Sequence, residues 1–223
     1  MSKRILLVTC LLGLALALVV FAQESKNVQV QTTLDPGKDE SLYDEPVSTL
    51  DAFRDVLRAK RKPGGIVLQR HCTISEPKIQ VTRDLTSLES ALKTIVRQDP
   101  AFIWSLHDEV ANLIPIRYEP EIMRARIKRF SLDGDLNILL ALEKLLRLPE
   151  LKDNLDAVNL NKGIRYGGLS SPREKPNLKF EIVDSTVRDI LNEIVRRDGN
   201  AVWEYREMVC NGKTNATLEL TSK

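Results

Sequence analysis

Ile95-Val96-Arg97-Gln98-Asp99-Pro100-Ala101-Phe102-Ile103-Trp104 and, about 99 residues later, Ile194-Val195-Arg196-Arg197-Asp198-Gly199-Asn200-Ala201-Val202-Trp203 decide the fold. Each reads as the last turn of a helix, an Asp-led stop, and a strand that carries Trp. Pro100 cannot continue a helix and Gly199 tolerates the left-handed turn that ends one. Upstream, Leu88, Ala91, Leu92, Ile95 and Val96 fall on one helical face, with Thr86 or Ser87 as N-cap. Glu89 and Lys93 form an i,i+4 pair on the other side. Val187, Ile190, Leu191, Ile194 and Val195 repeat that face behind Ser185 or Thr186. A strand precedes each helix, marked by Ile79 and Val81 in one case and Phe180 and Ile182 in the other. Phe102-Ile103-Trp104 and Val110 to Ile114 predict a hairpin, with His107-Asp108-Glu109 near its turn.

The parallel extends outward. Leu50, Phe53 and Leu57, spaced for a helix capped by Ser48 or Thr49, match Leu148, Leu151 and Leu155. Gly65-Ile66-Val67-Leu68 has a counterpart in Gly163-Ile164-Arg165-Tyr166. Self-similarity at a fixed period is the mark of a duplicated unit. Between the copies, Ile122 to Leu132 alternates apolar with basic residues as a strand with one wet face, and Leu136 to Leu148 reads as a strongly apolar helix stopped by Pro149. The expected fold is therefore α+β: two pseudo-repeated small units with short sheets, at 47–115 and 146–223, joined by a strand and a long apolar helix at 116–145.

The N-terminus carries a different message. Lys3 and Arg4 precede an uncharged run from Ile5 to Ala22, and Val20-Phe21-Ala22 ends in a small residue before Gln23. That is the layout of a secretory signal peptide (1–22) cut between Ala22 and Gln23. At this length the run also stands at the lower limit for a spanning helix, so membrane attachment follows only if the segment is retained as an anchor. Residues 23–46 are polar, hold Asp35-Pro36-Gly37, and read as a disordered lead-in.

Export gives the cysteines a meaning. Cys10 leaves with the leader, and Cys72 and Cys210 remain where disulfides persist. The two residues are either a bridge, contributing about 4 kcal/mol across so long a loop, or two buried thiols. His71-Cys72 is the one place where a nucleophile adjoins a base, but neighbours on a strand point to opposite faces. His71, Cys72, His107 and Cys210 fit no compact metal-ligand spacing. The chain has no phosphate loop, no Gly-x-Ser-x-Gly elbow and no His-Glu-x-x-His, so no catalytic, cofactor or metal residue is assigned.

The full chain of 223 residues has 33 Lys+Arg against 31 Asp+Glu, and removal of Lys3 and Arg4 balances the two. Such a balance argues against a nucleic-acid binder. The basic clusters Arg58-Lys60-Arg61-Lys62 and Arg124-Arg126-Lys128-Arg129 read as solvated faces balanced by acids elsewhere, and aromatic residues do not interleave with them. Trp104 and Trp203, at matched positions, are expected to anchor strands against their own helices. Asn215-Ala216-Thr217 fits the N-glycosylation pattern, which has meaning only in a eukaryotic source.

On these residues the chain resembles the short N-terminal domain of secretins and TonB-dependent receptors. In that family a strand, a Thr or Ser, a helix with Ala-Leu, a turn and a strand ending in an aromatic follow one another. Ile79 to Pro115, with Ser87-Leu88-Glu89-Ser90-Ala91-Leu92, has this order, and Phe180 to Tyr205, with Thr186-Val187-Arg188-Asp189-Ile190-Leu191, has it again. Trp104 and Trp203 stand where the family more often shows Tyr. The resemblance implies a periplasmic, non-enzymatic module, here duplicated and freestanding, whose partner is another envelope protein. An envelope hydrolase is the competing expectation. A bare sheet edge or apolar patch distinguishes the binder, and a polar cleft with convergent titratable groups distinguishes the enzyme.

Overall fold

In chain order the elements are β1 (Val47–Ser48), α1 (Thr49–Lys60), β2 (Gly64–His71), β3 (Lys78–Ile79), α2 (Leu88–Gln98), β4 (Phe102–His107) and β5 (Val110–Pro115). There follow α3 (Glu121–Arg124), β6 (Arg126–Leu132), α4 (Ile138–Leu146), a 3-10 turn (Pro149–Leu151), α5 (Lys152–Ala157) and β7 (Leu160–Asn161). β8 (Phe180–Thr186), α6 (Val187–Asp198), β9 (Val202–Cys210) and β10 (Lys213–Thr221) complete the α+β fold. The computed structural model describes residues 45–81, 87–134, 137–161 and 178–221. The leader at 1–22, its cut between Ala22 and Gln23, residues 23–44 of the lead-in and the segment 163–166 lie outside the described residues.

Short polar side chains start the helices by taking up amide groups that have no partner within the first turn. Ser48 accepts the Asp51 N–H at 3.1 Å and opens α1. Ser87 accepts the Ser90 N–H at 3.1 Å and opens α2. Thr186 and Asp189 close a reciprocal capping box on α6. At the far end α6 stops on Gly199 at φ 83°, whereas α2 stops on Asp99 before Pro100.

The main sheet has six strands in the order β4-β5-β2-β9-β10-β7. β4 and β5 form an antiparallel hairpin, as do β9 and β10; β2 runs parallel to both β5 and β9. Asp108 and Glu109 turn the first hairpin at positive φ, and Asn211 and Gly212 turn the second. Connectivity recurs along the chain. β1 pairs antiparallel with β3, and β2 parallel with β5; later β6 pairs antiparallel with β8, and β7 parallel with β10.

Each face of the sheet carries its own apolar core. Ile66 and Leu68 of β2 join Ala111, Leu113 and Val202 beneath α1 and α2. Val67, between them, points the other way and joins Trp203, Tyr205, Ala216 and Leu218 beneath α4 and α6. A strand covered on both faces needs a continuous apolar run, which explains Ile66-Val67-Leu68. Gly64 and Gly65 serve the same double cover. A Cβ on Gly64 would meet Leu57 and the Ala111 carbonyl, and one on Gly65 would land on the Trp203 indole.

The segment expected as a connector builds the second core instead. β6 pairs with β8 from Arg126↔Thr186 to Leu132↔Phe180, and α4 packs against α6 and β10. The expected long apolar helix is nine residues, opened by Asn137 and buried through Ile138, Ala141, Leu142, Leu145 and Leu146. Leu148 is extended because Pro149 follows it.

Candidate functional site: a cleft beside an open strand edge

Pro115 ends β5 and has no N–H to offer a neighbouring strand. β2 is paired with β5 only at Gly64, Gly65 and Ile66, yet stays paired with β9 as far as His71↔Val209. The Gly64 N–H reaches the Ala201 carbonyl (3.2 Å) and the Cys72 N–H reaches the Val209 carbonyl (3.2 Å), so even-numbered peptide groups of β2 face β9. The peptide groups of Gln69 therefore face away from β9, beyond the last stretch of β2 that is bonded to β5, and no strand lies beside them among the described residues. A cleft of about 570 Å³ opens along this edge.

Its walls come from four places. Leu50 at the head of α1, Leu68 and Phe102 supply apolar surface, and Ile116 and the loop residue Ile74 flank the opening. Ile74 is 68% exposed and Ile116 55%, both high for large apolar side chains. Asp99 lies buried at the base, accepting the Thr49 hydroxyl (2.6 Å) and the Ala101 N–H (3.3 Å). That pair of bonds ties the start of α1 to the α2–β4 turn and fixes the spacing of the walls. Arg70 on the rim is ion-paired with Glu76. Burial, and then the neighbouring Arg206 charge, depress the Arg70 pKa from its ordinary value.

Behind the cleft a carboxylate is held by two phenols. Tyr118 donates to Glu207 Oε2 and Tyr205 donates to Oε1, each at 2.6 Å. Burial, and then these bonds to Glu207, raise both phenols above the usual tyrosine range. A carboxylate with both oxygens occupied, and phenols that hold their protons more tightly than usual, are placed for cohesion rather than proton transfer.

On the opposite face of β9, Glu204 is buried and faces Glu219 across the strand pair. Two like charges so placed would repel, but arginines separate them. Arg54 of α1 grips Glu204 through Nε and Nη2, and Arg206 reaches Glu219 at 2.7 Å. Burial works against the charge on Arg54, yet Glu204, Asp51 and Glu219 outweigh it and hold the guanidinium pKa above its ordinary value.

Cys72 and Cys210 stand at disulfide distance, with Cα atoms 5.4 Å apart, where β2 and β9 end side by side. They root the loop whose residues Ile74 to Pro77 wall the cleft. His71 lies on the rim, but His107 sits at the β4–β5 turn, level with the other end of β2 and roughly 25 Å along the strands. The His71, Cys72, His107 and Cys210 set is thus not brought together, and no group of three metal-ligating side chains converges among the described residues. Both basic clusters are partly paired: Arg58 with Asp55, Lys62 with Glu109, Arg126 with Asp184 and Arg129 with Glu181. Trp203 is fully buried and donates to Asn192 Oδ1 at 2.8 Å, whereas Trp104 is half-buried near the sheet edge. Asn215 accepts a hydrogen bond from Asn159 at 2.8 Å.

Glu204, Glu207 and Glu219 escaped sequence reasoning. For Glu204 and Glu207 the signal was an acidic residue among the aromatic and apolar residues of one strand, and for Glu219 an acid between Leu218 and Leu220; an acid so placed demands a buried partner. No family model matches the chain, and no curated protein or solved structure matches it.

Proposed function

We propose that this protein is an exported, non-enzymatic interaction module of the cell envelope, built from two duplicated units, that takes an extended segment of another envelope protein into the cleft beside β2. The observation that carries the reading is the opening of the β2 edge past Ile66 into an apolar cleft. Unpaired peptide groups beside side-chain pockets are the combination by which strand addition gains affinity and specificity together. The bound segment continues the line of β5 beyond Pro115. One of its side chains enters among Leu50, Leu68 and Phe102, and an acidic neighbour meets Arg70, which burial and Arg206 leave receptive to a further anion. Cys72 and Cys210, bridged after export, hold the loop that forms the far wall. The resemblance to the short N-terminal domain of secretins and TonB-dependent receptors agrees with this role, and the leader at 1–22 agrees with the location.

A photo-crosslinker in place of Ile74, in the native envelope, is expected to label one protein along a single extended stretch. Gln69→Pro removes an outward N–H on the open edge of β2, together with the Gln69 side chain on the cleft wall, and should abolish that labelling while the fold persists. Labelling of lipid alone, or labelling that survives Gln69→Pro, would sink the reading.

A further inference from the structure

We propose that the outer edge of β4 pairs, antiparallel, with β4 of a second copy of this chain. β4 is the terminal strand of the six-stranded sheet, and no strand covers its outer edge among the described residues. Proteins protect such edges with charges, prolines or bulges. From Phe102 to Leu106 there is none of these: the residues are Phe-Ile-Trp-Ser-Leu, and the register with β5 is unbroken. Ile103 and Leu106 are each about half exposed.

The second copy is selected by the symmetry of the strand. The Ile116 N–H reaches the Ala101 carbonyl at 2.9 Å, so odd-numbered peptide groups of β4 face β5 and those of Phe102, Trp104 and Leu106 face outward. The side chains of the same three residues share one face of the sheet, where Phe102 and Trp104 already border the first core. A two-fold axis perpendicular to the sheet through Trp104 sets Trp104 opposite Trp104 and Phe102 opposite Leu106. That register uses all three outward residues, whereas an axis through Ile103 or Ser105 leaves one of them unmatched. Each copy presents the same patch to the other, as a closed two-fold dimer requires. Aromatic and aliphatic cross-strand pairs then cover the exposed Leu106 and the open face of Trp104.

Sedimentation velocity of the full chain over a concentration series tests this. The wild type is expected to pass from monomer to dimer. Leu106→Pro deletes an outward N–H without touching the bonds to β5, and Leu106→Lys places a charge in the proposed seam. Each should weaken self-association about 100-fold, since two hydrogen bonds or two apolar contacts are lost per dimer. If Leu106→Pro lowers the melting temperature, Leu106→Lys carries the comparison. Gln69→Pro, directed at the cleft, should leave dimerisation unchanged, which separates this inference from the peptide-binding reading. A wild type that stays monomeric throughout, or a dimer that survives Leu106→Lys, overturns the proposal.

Discussion

Trp203 and Trp104 occupy equivalent places in two helix–turn–strand passages, yet their neighbours make them unequal. Trp203 lies on a central strand, folds over Gly65 of β2 and is fully buried; Trp104 lies on an edge strand with one side open. Trp203→Ala is expected to cost about 3–5 kcal/mol of unfolding free energy, as full burial requires, and Trp104→Ala roughly half of that. Denaturant titration of both variants checks the ranking, and equal losses would contradict it. The two phenols on Glu207 make a second prediction. Their folded pKa values are raised, so their contribution is complete below the unfolded tyrosine value of about 10 and is lost as pH climbs above it. Stability should therefore fall steeply above about pH 10. In Tyr118→Phe/Tyr205→Phe it should be lower at neutral pH but fall less steeply in that range, as urea midpoints across the pH series would reveal.

At the scale of elements, most of the pattern was legible. The helices at α1, α2 and α6, their caps, the Asp-led stops and the β4–β5 hairpin follow from local chemistry: apolar period, a Ser or Thr one step ahead, a Pro or Gly at the end. β10 went unread although Asn211-Gly212 is a strong turn signal and Ala216, Leu218 and Leu220 alternate. Pairing was the harder part. Nothing local shows that β6 joins β8, because pairing depends on which distant strand offers a matching edge. The Cys72 and Cys210 pair belongs to this scale, since it joins the ends of β2 and β9 across 138 residues. Cys72→Ser/Cys210→Ser should lower the unfolding free energy by up to about 5 kcal/mol. It should also expose residues 72–77 to proteolysis, and an unchanged digestion pattern would mean that the bridge does not anchor that loop.

For the whole molecule, the decisive feature is that two cores share one sheet. β2 gives Ile66 and Leu68 to one core and Val67 to the other, and β9 divides Val202 from Trp203 in the same way. Neither half can lose its core without uncovering the other's strands, so unfolding should be a single transition with calorimetric and van't Hoff enthalpies equal. Two resolved heat-absorption peaks would show that the halves are independent. Sequence by itself determined the α+β class, the order of helix, stop and strand in each half, and the cysteines that could meet, because these rest on residues close in the chain or on composition. The tertiary structure alone decided that the strand expected from Ile122 starts only at Arg126, after the helical turn Glu121–Arg124, and that it and the helix after it belong to the second core. It also decided that Glu204 and Glu207 find partners 150 and 89 residues away, and that β2 outruns β5 to open a cleft. A strand's residue pattern reports which faces it buries; its edge is a backbone property, and whether that edge is covered depends on where every other strand ends.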